Sequence, residues 1–446
     1  MKCRRQLRSD VARIWAAALR SVDPAAAVYR HVKRSGGELL VGRQHIDLDK
    51  ARNIWVLGAG KAAAPMAQAL EKILGERLTG GVLVTRYGHG LRLRKLELLE
   101  AGHPLPDANS VAAGAHMARL AESRITPRDL VFCLLSGGGS ALLASPAPGI
   151  TLEDKLACTR LLLNSGATIQ EMNAIRKHLS NLKGGGLARL LAGVPVLSLI
   201  LSDVAGDDLD AIASGPLVPD TTTFHDCNAI LRRFQLEGMV PLAVRRRLED
   251  GASGRIPENP KPGDRIFRKK THILVGSNAQ ACGAAAHAAR RLGYHTLVLT
   301  SQLVGDTGEA ARFHLSVLEE IAARGRPLRR PACLISGGET TVRVTGKGRG
   351  GRNQEFVLQC VRGCAHLPVP CVIVSLATDG TDGPTDAAGA LVDNTTLARA
   401  LRFDPDFLAD CLSDNNSFEF FKRMGDQIVT GPTRTNVMDL RVLLIG

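Results

Sequence analysis

The segment Leu334–Phe356 reads L-I-S-G-G-E-T-T-V-R-V-T-G-K-G-R-G-G-R-N-Q-E-F and carries strand, turn and helix signals in direct succession. An apolar run, Cys333–Ile335, predicts a short buried strand that ends in a turn of sequence S-G-G-E (336–339). Alternating apolar and polar residues over Thr341–Thr345 predict a second strand. The apolar stripe that follows predicts a helix, which Asn353 can cap. The glycine-rich part of the segment therefore lies between a strand and a helix start.

The loop Gly346–Arg352 alternates four glycines with the cations Lys347, Arg349 and Arg352. Such a loop can turn its backbone N–H groups inward and surround them with positive charge. Because the loop stands at a helix start, where an anion is also favoured, we predict that it binds phosphate. The alternative is a mobile, solvated surface loop.

Length and composition indicate a soluble protein of two domains. The 446 residues are 45% hydrophobic and 22% charged, which is typical of globular proteins. Aromatic residues make up only 4%, and the cations behind the net charge of +14 are spread along the chain, so small anionic substrates are expected rather than nucleic acid. No apolar run approaches the length of a membrane span, and no membrane partner is expected.

The cysteines and the first residues bear on location. Ten cysteines lie far apart without a zinc-binding pattern, which favours a reduced, cytoplasmic protein. The arginine-rich start, M-K-C-R-R-Q-L-R, is compatible with a transit peptide. The spacing of Val11, Ile14, Trp15 and Leu19 favours the alternative, an amphipathic first helix.

Residues 53–88 read as strand, glycine turn, helix and strand, which is a Rossmann-type opening. The turn is Gly58-Ala59-Gly60-Lys61. The next strand ends without the acidic residue that binds a ribose in dinucleotide-binding proteins. Lys61 stands instead at the helix start, where it can meet an oxyanion.

Two turns of similar sequence follow predicted buried strands. They are Ser136-Gly137-Gly138-Gly139-Ser140 and Ser336-Gly337-Gly338-Glu339. Glycines at the carboxyl end of a strand let the backbone approach a bound anion. A tight turn that needs one positive φ is the alternative, but it does not account for three glycines between two serines.

The segment Ile169–Leu182 predicts a helix with one apolar face, and three glycines after Lys183 end it. Its polar side comprises Asn173, Arg176, Lys177 and, just beyond the segment, Lys183. Two interpretations stay open, a solvated basic face and a substrate-binding face. The two-proline turn at 102–107 is likewise either a rigid connector or a place where His103 and Asp107 meet the substrate.

Carboxylates follow two other predicted strands. Asp203 and Asp207 come after one, and Asp379 and Asp382 come after the other. Carboxylates at the carboxyl end of a strand are expected to hold Mg²⁺ or to act as a general base. A helix cap near 208–210 and a bare loop near 379–386 are the alternatives.

A shift in composition marks a domain boundary. Residues 236–270 contain E-D-G-A-S-G followed by three prolines. We expect an N-terminal domain over residues 1–240, a linker over 241–263 and a C-terminal domain over 264–446.

Taken together and in order, these blocks resemble the glycerate 2-kinase family that carries a C-terminal MOFRL domain. The blocks are GAGK (58–61), GHPLPD (102–107), SGGGS (136–140), EMN (171–173), RKH (176–178), SD (202–203), GDD (206–208), SGGETT (336–341), GGRNQE (350–355) and TDGTDG (378–383). The resemblance covers nearly the whole chain. It implies an α/β fold of two domains, a Rossmann-like parallel sheet with flanking helices and an α/β MOFRL domain, with the active site in the cleft between them.

The resemblance also implies a reaction and roles for individual residues. ATP would phosphorylate the 2-hydroxyl of D-glycerate with the help of Mg²⁺, giving 2-phospho-D-glycerate and ADP. Lys61 and Arg352 match the family's active-site cations. We expect Asp203 or Asp207 to bind Mg²⁺ or accept the hydroxyl proton, with Asp379 and Asp382 as further metal ligands. The remaining candidates for binding glycerate and ATP are Gly58, Gly60, the two S-G-G turns, Asn173, Arg176, Lys177, Lys183, Lys347 and Arg349.

The sequence departs from the family pattern at two places near the C-terminus. The usual N-D-S-Y is Asn415-Asn416-Ser417-Phe418 here, and Arg434 replaces a glycine in T-G-P-T-G-T-N. Arg434 either adds a phosphate contact or strains a turn that favours positive φ. Both departures bear on substrate preference and rate more than on the type of reaction.

Two other functions stay open at this point. An NAD(P)H-dependent hydroxypyruvate reductase would use the Rossmann-like opening, although the missing ribose carboxylate argues against it. A binding module for sugar acids or nucleotides is less economical, because it leaves the acidic turns beside the phosphate loops without a purpose. The protein is expected to be a monomer or a homodimer.

Overall fold

Two units with interleaved chain segments make up residues 2–446, the part of the chain that the computed structural model describes. Residues 24–202 and 207–275 form the first, called here the parallel-sheet unit. Residues 2–23, 203–206 and 276–446 form the second, called the mixed-sheet unit. No helix among the described residues is long and apolar enough to cross a membrane.

Helices and strands alternate along most of the chain. The helices are α1 (Arg4–Ser21), α2 (Pro24–His31), α3 (Ala63–Leu74), α4 (Ala108–Ser123), α5 (Gly139–Leu142), α6 (Leu152–Asn164), α7 (Ile169–His178), α8 (Gly186–Leu190), α9 (Phe224–Arg233), α10 (Leu242–Ala252), α11 (Asn278–Arg291), α12 (Thr307–Arg324), α13 (Arg352–Gln359), α14 (Val361–His366), α15 (Thr396–Phe403), α16 (Phe407–Ser413) and α17 (Ser417–Met424). The strands are β1 (Val32–Ser35), β2 (Glu38–Val41), β3 (Gln44–Asp47), β4 (Ile54–Ala59), β5 (Gly80–Arg86), β6 (Glu97–Ala101), β7 (Leu130–Ser136), β8 (Val196–Leu201), β9 (Lys270–Gly276), β10 (His295–Leu303), β11 (Ala332–Gly338), β12 (Cys371–Ala377), β13 (Gly389–Asp393), β14 (Gln427–Ile428) and β15 (Asp439–Ile445).

The parallel-sheet unit is built on a sheet of order β6-β5-β4-β7-β8-β9, in which the strands from β6 to β8 pair in parallel. All residues of β4 and β7 are buried, as expected for parallel strands covered on both faces. From β4 the chain moves outward to β6, then returns to form β7 on the other side of β4. The strand order therefore reverses between β4 and β7, which is where open α/β sheets bind ligands.

The mixed-sheet unit is built on a sheet of order β10-β11-β15-β12-β13-β14. Strands β10 and β11 are parallel, and the other neighbours pair antiparallel. The last strand of the chain, β15, lies between β11 and β12, so that Asp439 pairs with Gly338 and Ala377. A core that includes Phe356, Phe420 and buried residues of α12 to α14 packs against this sheet. The predicted α/β fold with a Rossmann-like parallel sheet is confirmed.

The domain bounds differ from the predicted ones at both ends of the first unit. Residues 2–23, predicted in the N-terminal domain, belong to the mixed-sheet unit because the apolar face of α1 packs against α11. Strand β9, predicted in the C-terminal domain, is an edge strand of the parallel sheet. The predicted linker 241–263 begins with α10, which packs on α9. The spacing of apolar residues predicts that a helix or strand is present, but it does not predict which sheet or helix that segment will pack against.

The predicted strand over Thr341–Thr345 is wrong. Within the described chain this segment forms only a single bridge, from Thr341 to Asp306, and Val344 is exposed. Asn415 is the physical reason, because its Oδ1 accepts the backbone N–H of Thr345 at 2.7 Å. A side chain thus takes a backbone group that a ladder partner would otherwise bind.

Candidate active-site residues

The glycine turns after β4 and β7 interlock at the point where the strand order reverses. Gly60 has φ +136°, and a Cβ there would overlap Ser136 Oγ, so only glycine fits. Ser136 Oγ accepts the N–H of Ala62 at 3.0 Å, and the N–H of Lys61 donates to Gly137 O at 2.9 Å. These bonds fix the backbone of Lys61, whose side chain is buried. The structure therefore brings Gly58, Gly60, Lys61 and the 136–140 turn together, as predicted.

Two other segments pack against this turn. Gly138 has φ +84°, and a Cβ there would lie 2.8 Å from the His103 ring. Ser140 Oγ lies 2.9 Å from Ser214 Oγ. His103 thus contacts the glycine turn, which is consistent with a role at the site.

Asp107 has a structural role, in contrast to His103. Its side chain caps α4 by accepting the N–H of Ser110 at 2.9 Å. Burial raises its pKa, but hydrogen bonds from Tyr87 Oη and from Ser110 outweigh this and lower the pKa of Asp107 to about 2. Of the two candidates in the two-proline turn, only His103 contacts the glycine turn.

The cations of the α7 motif have different environments. Lys177 is buried and forms ion pairs with Asp210 and, at 3.4 Å, with Asp220. Its charge is thus neutralised within the protein, and a role in binding substrate is not supported by these contacts. Lys183 Nζ donates to Ser140 O at 2.8 Å and to Leu143 O at 3.2 Å, and so supports the glycine turn from behind.

Asn173 and Arg176 complete the α7 motif. Asn173 is buried on the helix, whereas Arg176 is half-buried. Arg176 makes no hydrogen bond or ion pair with another residue of the described range 2–446. The helix itself ends at His178, four residues before the predicted end at Leu182.

In the mixed-sheet unit, Ser336 is the first residue of the second S-G-G turn and is fully buried. Its Oγ lies 2.8 Å from His314 Nε2, while His314 Nδ1 lies 2.6 Å from Ala310 O. Burial lowers the pKa of His314 to about 4, so the ring is neutral at pH 7. The neutral ring donates from Nδ1 and accepts the Ser336 hydroxyl proton at Nε2. The prediction that the Ser336 hydroxyl binds a ligand is corrected: it stabilises β11 from within the core.

Arg352 is held by two carboxylates. Its Nε donates to Asp439 Oδ2 at 2.6 Å, its Nη2 to Asp439 Oδ1 at 3.1 Å, and its Nη1 lies 2.8 Å from Glu339 Oε1. Burial lowers the pKa of Arg352, but attraction to Asp439 outweighs it and the pKa is raised. Arg441, fully buried in β15, lies 3.6 Å from Asp439 and donates to Thr340 Oγ1 at 2.9 Å. The guanidinium of Arg352 thus has one fixed orientation on the second S-G-G turn.

The glycine-rich loop before α13 does not form the predicted ring of free N–H groups. Lys347 N donates to Asp414 Oδ1 at 2.7 Å, Gly348 N to Asp414 O at 2.8 Å, and Arg349 N to Asn416 Oδ1 at 3.2 Å. The segment 414–416 therefore occupies the groups that were predicted to bind phosphate. The side chains of Lys347 and Arg349 are exposed and keep their candidacy as cations.

These contacts bear on one of the two departures from the family pattern, the segment Asn415–Phe418. Asn416 supplies an acceptor oxygen, as the usual aspartate would, and Phe418 lies 4.8 Å from the Arg349 guanidinium. Arg434 has φ +62°, so it does occupy a turn that favours glycine. Its side chain is exposed, and no contact in the structure explains the replacement.

Asp382 is corrected from a metal ligand to a helix cap. Its two carboxylate oxygens accept the backbone N–H groups of Asn353 and Gln354 at 3.0 and 2.9 Å, and both side-chain amides at 3.1 Å. Gly351, and not the predicted Asn353, is the residue before α13. The negative charge of this buried carboxylate is stabilised by its four hydrogen-bond donors and by the dipole of the helix that begins there.

Asp203 and Asp379 differ from Asp382 because both are half-buried. Both contact the segment 433–436: Asn436 Nδ2 donates to Asp203 Oδ2 at 3.2 Å, and Thr433 N donates to Asp379 O at 3.3 Å. Across residues 2–446 no three His, Cys, Asp or Glu side chains form a group that could hold a metal ion. Mg²⁺ often uses only one or two carboxylates and completes its shell with water and substrate phosphates, so a single half-buried carboxylate such as that of Asp203 or Asp379 is compatible with it.

A cavity of about 460 Å³ lies within the mixed-sheet unit, a size suited to a small molecule. Glu339, Val342, Arg352 and Glu355 are among the residues that line it. Ser417 also lines it, and its buried hydroxyl has no hydrogen-bond partner among the described residues. The cavity thus combines an apolar wall, a fixed cation and polar groups.

Three residues of these arrangements were missed by sequence reasoning: Asp439, Arg441 and His314. The signal for the first two is D-L-R at the start of an otherwise apolar final strand, because charged residues inside a buried strand need partners. His314 has no comparable signal, since one histidine on a helix is usual.

Comparison with known proteins places these residues in a family. The family model described as a domain of unknown function, DUF4147, matches residues 10–249, and the MOFRL family model matches residues 332–439. A glycerate 2-kinase from Pyrococcus horikoshii is 43% identical over 96% of this chain and 95% of its own. This chain belongs to the glycerate 2-kinase family with a C-terminal MOFRL domain.

Other relatives and solved structures agree with this family. A D-glycerate 2-kinase from Thermotoga maritima is 39% identical over 90% of this chain and 92% of its own. The crystal structure of a glycerate kinase from Thermotoga maritima superposes with a TM-score of 0.85 at 36% identity, covering 99% of this chain and 100% of that one. A crystal structure of a Pyrococcus horikoshii protein gives 0.82 at 42% identity, with 98% of each chain covered. A relative from Agrobacterium vitis, 41% identical over 98% of this chain and 94% of its own, is provisionally named a hydroxypyruvate reductase.

Proposed function

We propose that this protein transfers a phosphoryl group from ATP to the 2-hydroxyl of D-glycerate, giving 2-phospho-D-glycerate and ADP. The observation that carries the proposal is the 43% identity to a glycerate 2-kinase over nearly the full length of both chains. The interlocked glycine turns around Lys61 at the reversal of strand order support it, because such a point in an α/β sheet is suited to bind anionic ligands.

Phosphoryl transfer depends on positioning and on stabilising charge in the transition state. We assign Lys61 and Arg352 to this task, since Lys61 follows the glycine turn after β4 and Arg352 begins α13 directly after the glycine-rich loop. Lys61 is fixed through its backbone, and Arg352 through Asp439 and Glu339. Asp439 accepts from Nε and Nη2, and Glu339 pairs with Nη1, so only the remaining N–H on each Nη can bind a ligand. This limits the directions from which a phosphoryl oxygen can approach.

Mg²⁺ is proposed as the metal, with Asp203 and Asp379 as the residues that would hold it. Mg²⁺ would neutralise negative charge on the ATP phosphates. Asp203 is also the candidate for accepting the proton of the 2-hydroxyl, because it is a half-buried carboxylate that follows the carboxyl end of β8.

A coupled assay tests the proposal. The protein is incubated with ATP, Mg²⁺ and D-glycerate, and the product is then treated with enolase in the absence of a mutase. Phosphoenolpyruvate is the expected product, because enolase dehydrates 2-phosphoglycerate. A product that enolase converts only after addition of mutase would mean transfer to the 3-hydroxyl, and no formation of ADP would refute the kinase proposal.

Hydroxypyruvate reduction is the second candidate, and the provisional name of the Agrobacterium vitis relative favours it. The absence of an acidic residue at the end of β5, where Thr85 and Arg86 stand, argues against NADH as its cofactor. Oxidation of NADPH by hydroxypyruvate, measured at 340 nm on the same preparation, would support it.

A further inference from the structure

Four cations lie together behind the 136–140 glycine turn of the parallel-sheet unit without a carboxylate. They are Lys155 on α6, Arg176 on α7, Lys183 in the loop after α7, and Arg247 on α10. None of the four forms an ion pair with Asp or Glu anywhere in the described residues 2–446. Lys177, next to Arg176, differs because it pairs with Asp210 and Asp220.

Three of the four cations donate to backbone carbonyls at helix ends. Lys155 Nζ lies 3.1 Å from Leu179 O, and Arg247 Nε lies 2.7 Å from His178 O, both at the end of α7. Lys183 Nζ bonds the carbonyls at the end of α5, as described above. Helix C-termini carry about half a negative charge each, so they offset only part of the positive charge.

Arg176 is the exception, because its guanidinium donates to no acceptor among the described residues. It is half-buried, so part of the residue is accessible from outside the chain. Buried cations are normally paired, since removing them from water without a partner is costly. An anion bound from outside the chain would offset the positive charge of such a cluster and so stabilise it.

We propose that Arg176, with Lys155, Lys183 and Arg247 behind it, forms an oxyanion-binding subsite for a carboxylate or phosphate group of a substrate. The inference rests on the proposed kinase function, whose two substrates supply both groups: the carboxylate of the hydroxy acid and the phosphates of ATP. Arg176 is the residue that touches the anion, because a guanidinium can bind either group through two N–H donors. Lys155 and Arg247 are positioning residues that raise the local positive potential.

The electrostatics of the cluster agree with an anion subsite. Burial, and then repulsion by Arg176 and Arg247, lower the pKa of Lys155 to about 7, with a small opposing effect of Cys158. Burial, and then Lys155 and Arg176, lower the pKa of Lys183. An anion at Arg176 would reverse this repulsion and raise the pKa of Lys155. Binding near pH 7.5 is therefore expected to take up a fraction of a proton.

The test uses the full-length protein and three variants: Arg176→Gln, Arg176→Lys and the control Arg160→Gln. Arg160 is an exposed arginine on α6, so its replacement removes the same charge away from the subsite. Titration calorimetry with D-glycerate, and separately with a non-hydrolysable ATP analogue and Mg²⁺, measures binding without turnover. The titration of the wild type in two buffers of different ionisation enthalpy measures the proton uptake.

We expect Arg176→Gln to weaken one of the two ligands at least tenfold, Arg176→Lys to weaken it less, and Arg160→Gln to leave both unchanged. The unfolding midpoint of Arg176→Gln should equal or exceed that of the wild type, because an unpaired cation is removed. Weaker D-glycerate binding identifies the carboxylate as the anion, and the preference for D-glycerate over neutral D-glyceramide should then fall in the variant. Weaker binding of the ATP analogue identifies a phosphate.

Unchanged affinity for both ligands in Arg176→Gln would overturn the subsite, as would a large loss of stability, which would reveal an internal partner. The kinase proposal is judged separately by the enolase-coupled assay on the wild type. A wild type that phosphorylates glycerate, together with an Arg176→Gln variant of normal affinity, refutes the subsite alone. A wild type that binds both ligands through Arg176 without forming ADP refutes the kinase alone.

Discussion

Asp439 binds Arg352 through both of its carboxylate oxygens, with Nε at 2.6 Å from Oδ2 and Nη2 at 3.1 Å from Oδ1. Asp439 is fully buried at the start of the central strand β15, and Arg441 approaches the same Oδ2 at 3.6 Å. The buried carboxylate of Asp439 therefore orients Arg352, the proposed catalytic arginine. It also offsets the positive charge of Arg441, a second arginine that solvent does not reach.

Replacement of Asp439 by Asn should lower kcat/KM by about tenfold to a hundredfold, because Arg352 loses its bidentate acceptor and its orientation. It should also lower the free energy of unfolding by about 2 to 4 kcal/mol, since two cations lose their buried counterion. Steady-state kinetics and urea unfolding measure the two effects. Glu319→Gln, an exposed charge removal on α12, is the control and should change neither. A stability loss with unchanged kcat/KM would limit Asp439 to a structural role.

Replacement of Arg352 separates the need for charge from the need for geometry. Arg352→Ala should cost about 3 kcal/mol of transition-state stabilisation, the scale of removing one oxyanion donor. Arg352→Lys keeps the charge but cannot bind Asp439 with two donors, so it should recover only part of the activity. The measurement is kcat/KM for both substrates with Arg362→Lys, an exposed site on α14, as the matched control. An Arg352→Ala variant with near-normal kcat/KM and intact fold would remove Arg352 from the mechanism.

The buried His314 should make stability depend on pH. Its pKa is lowered by burial to about 4, against about 6.5 in the unfolded chain. Between these values the unfolded chain binds a proton that the folded chain does not, so stability is full above pH 6.5 and falls as the pH drops toward 4, by about 3 kcal/mol at most. Urea unfolding at pH 7 and pH 5 measures this.

The control for His314 compares two histidine variants. His314→Gln should lose the part of the pH dependence that His314 supplies, whereas His287→Gln, at an exposed position on α11, should retain it. Equal pH slopes in the wild type and in His314→Gln would contradict a neutral, buried imidazole bonded to Ser336.

Replacement of Asp382 distinguishes a helix cap from a metal ligand. Asp382→Asn removes the negative charge at the start of α13 and should lower the free energy of unfolding by about 1 to 2 kcal/mol. The Mg²⁺ concentration for half-maximal activity should not change, because all four bonds of the carboxylate stay within the protein. Asp386→Asn, an exposed position in the same turn, serves as the control. A several-fold higher Mg²⁺ requirement in Asp382→Asn alone would restore its role as a ligand.

The parallel-sheet unit was predictable where local pattern and local structure coincide. The strand and turn around Lys61 follow from an apolar run, a glycine pair and a helix, all within one segment of the chain. The same is true of the 136–140 turn, where close approach to Gly60 requires the glycines. Structure that depends on residues close together in the sequence can be recognised from the local sequence pattern.

The loop before α13 was mispredicted because its partners are remote in sequence. Its backbone N–H groups are taken by residues 414–416, about 70 positions later in the chain, and the cap of α13 comes from Asp382. A glycine-rich basic loop and an acidic turn each indicate a ligand when considered alone. The structure shows that the backbone N–H groups of the loop and the Asp382 carboxylate bind protein instead. Arg352 with its partner Asp439, the exposed cations Lys347 and Arg349, and Asp379 keep their predicted roles as proposals.

The membership of α1 in the mixed-sheet unit has a consequence for the order of folding during synthesis. The ribosome makes α1 before α11, which covers the apolar face of α1 and begins at residue 278. Val11, Ile14 and Trp15 therefore stay uncovered during synthesis until α11 has emerged. Nascent chains shorter than this should be recognised by chaperones that bind exposed apolar segments. A fragment that begins at residue 276 should be insoluble unless a peptide of residues 1–23 is supplied with it.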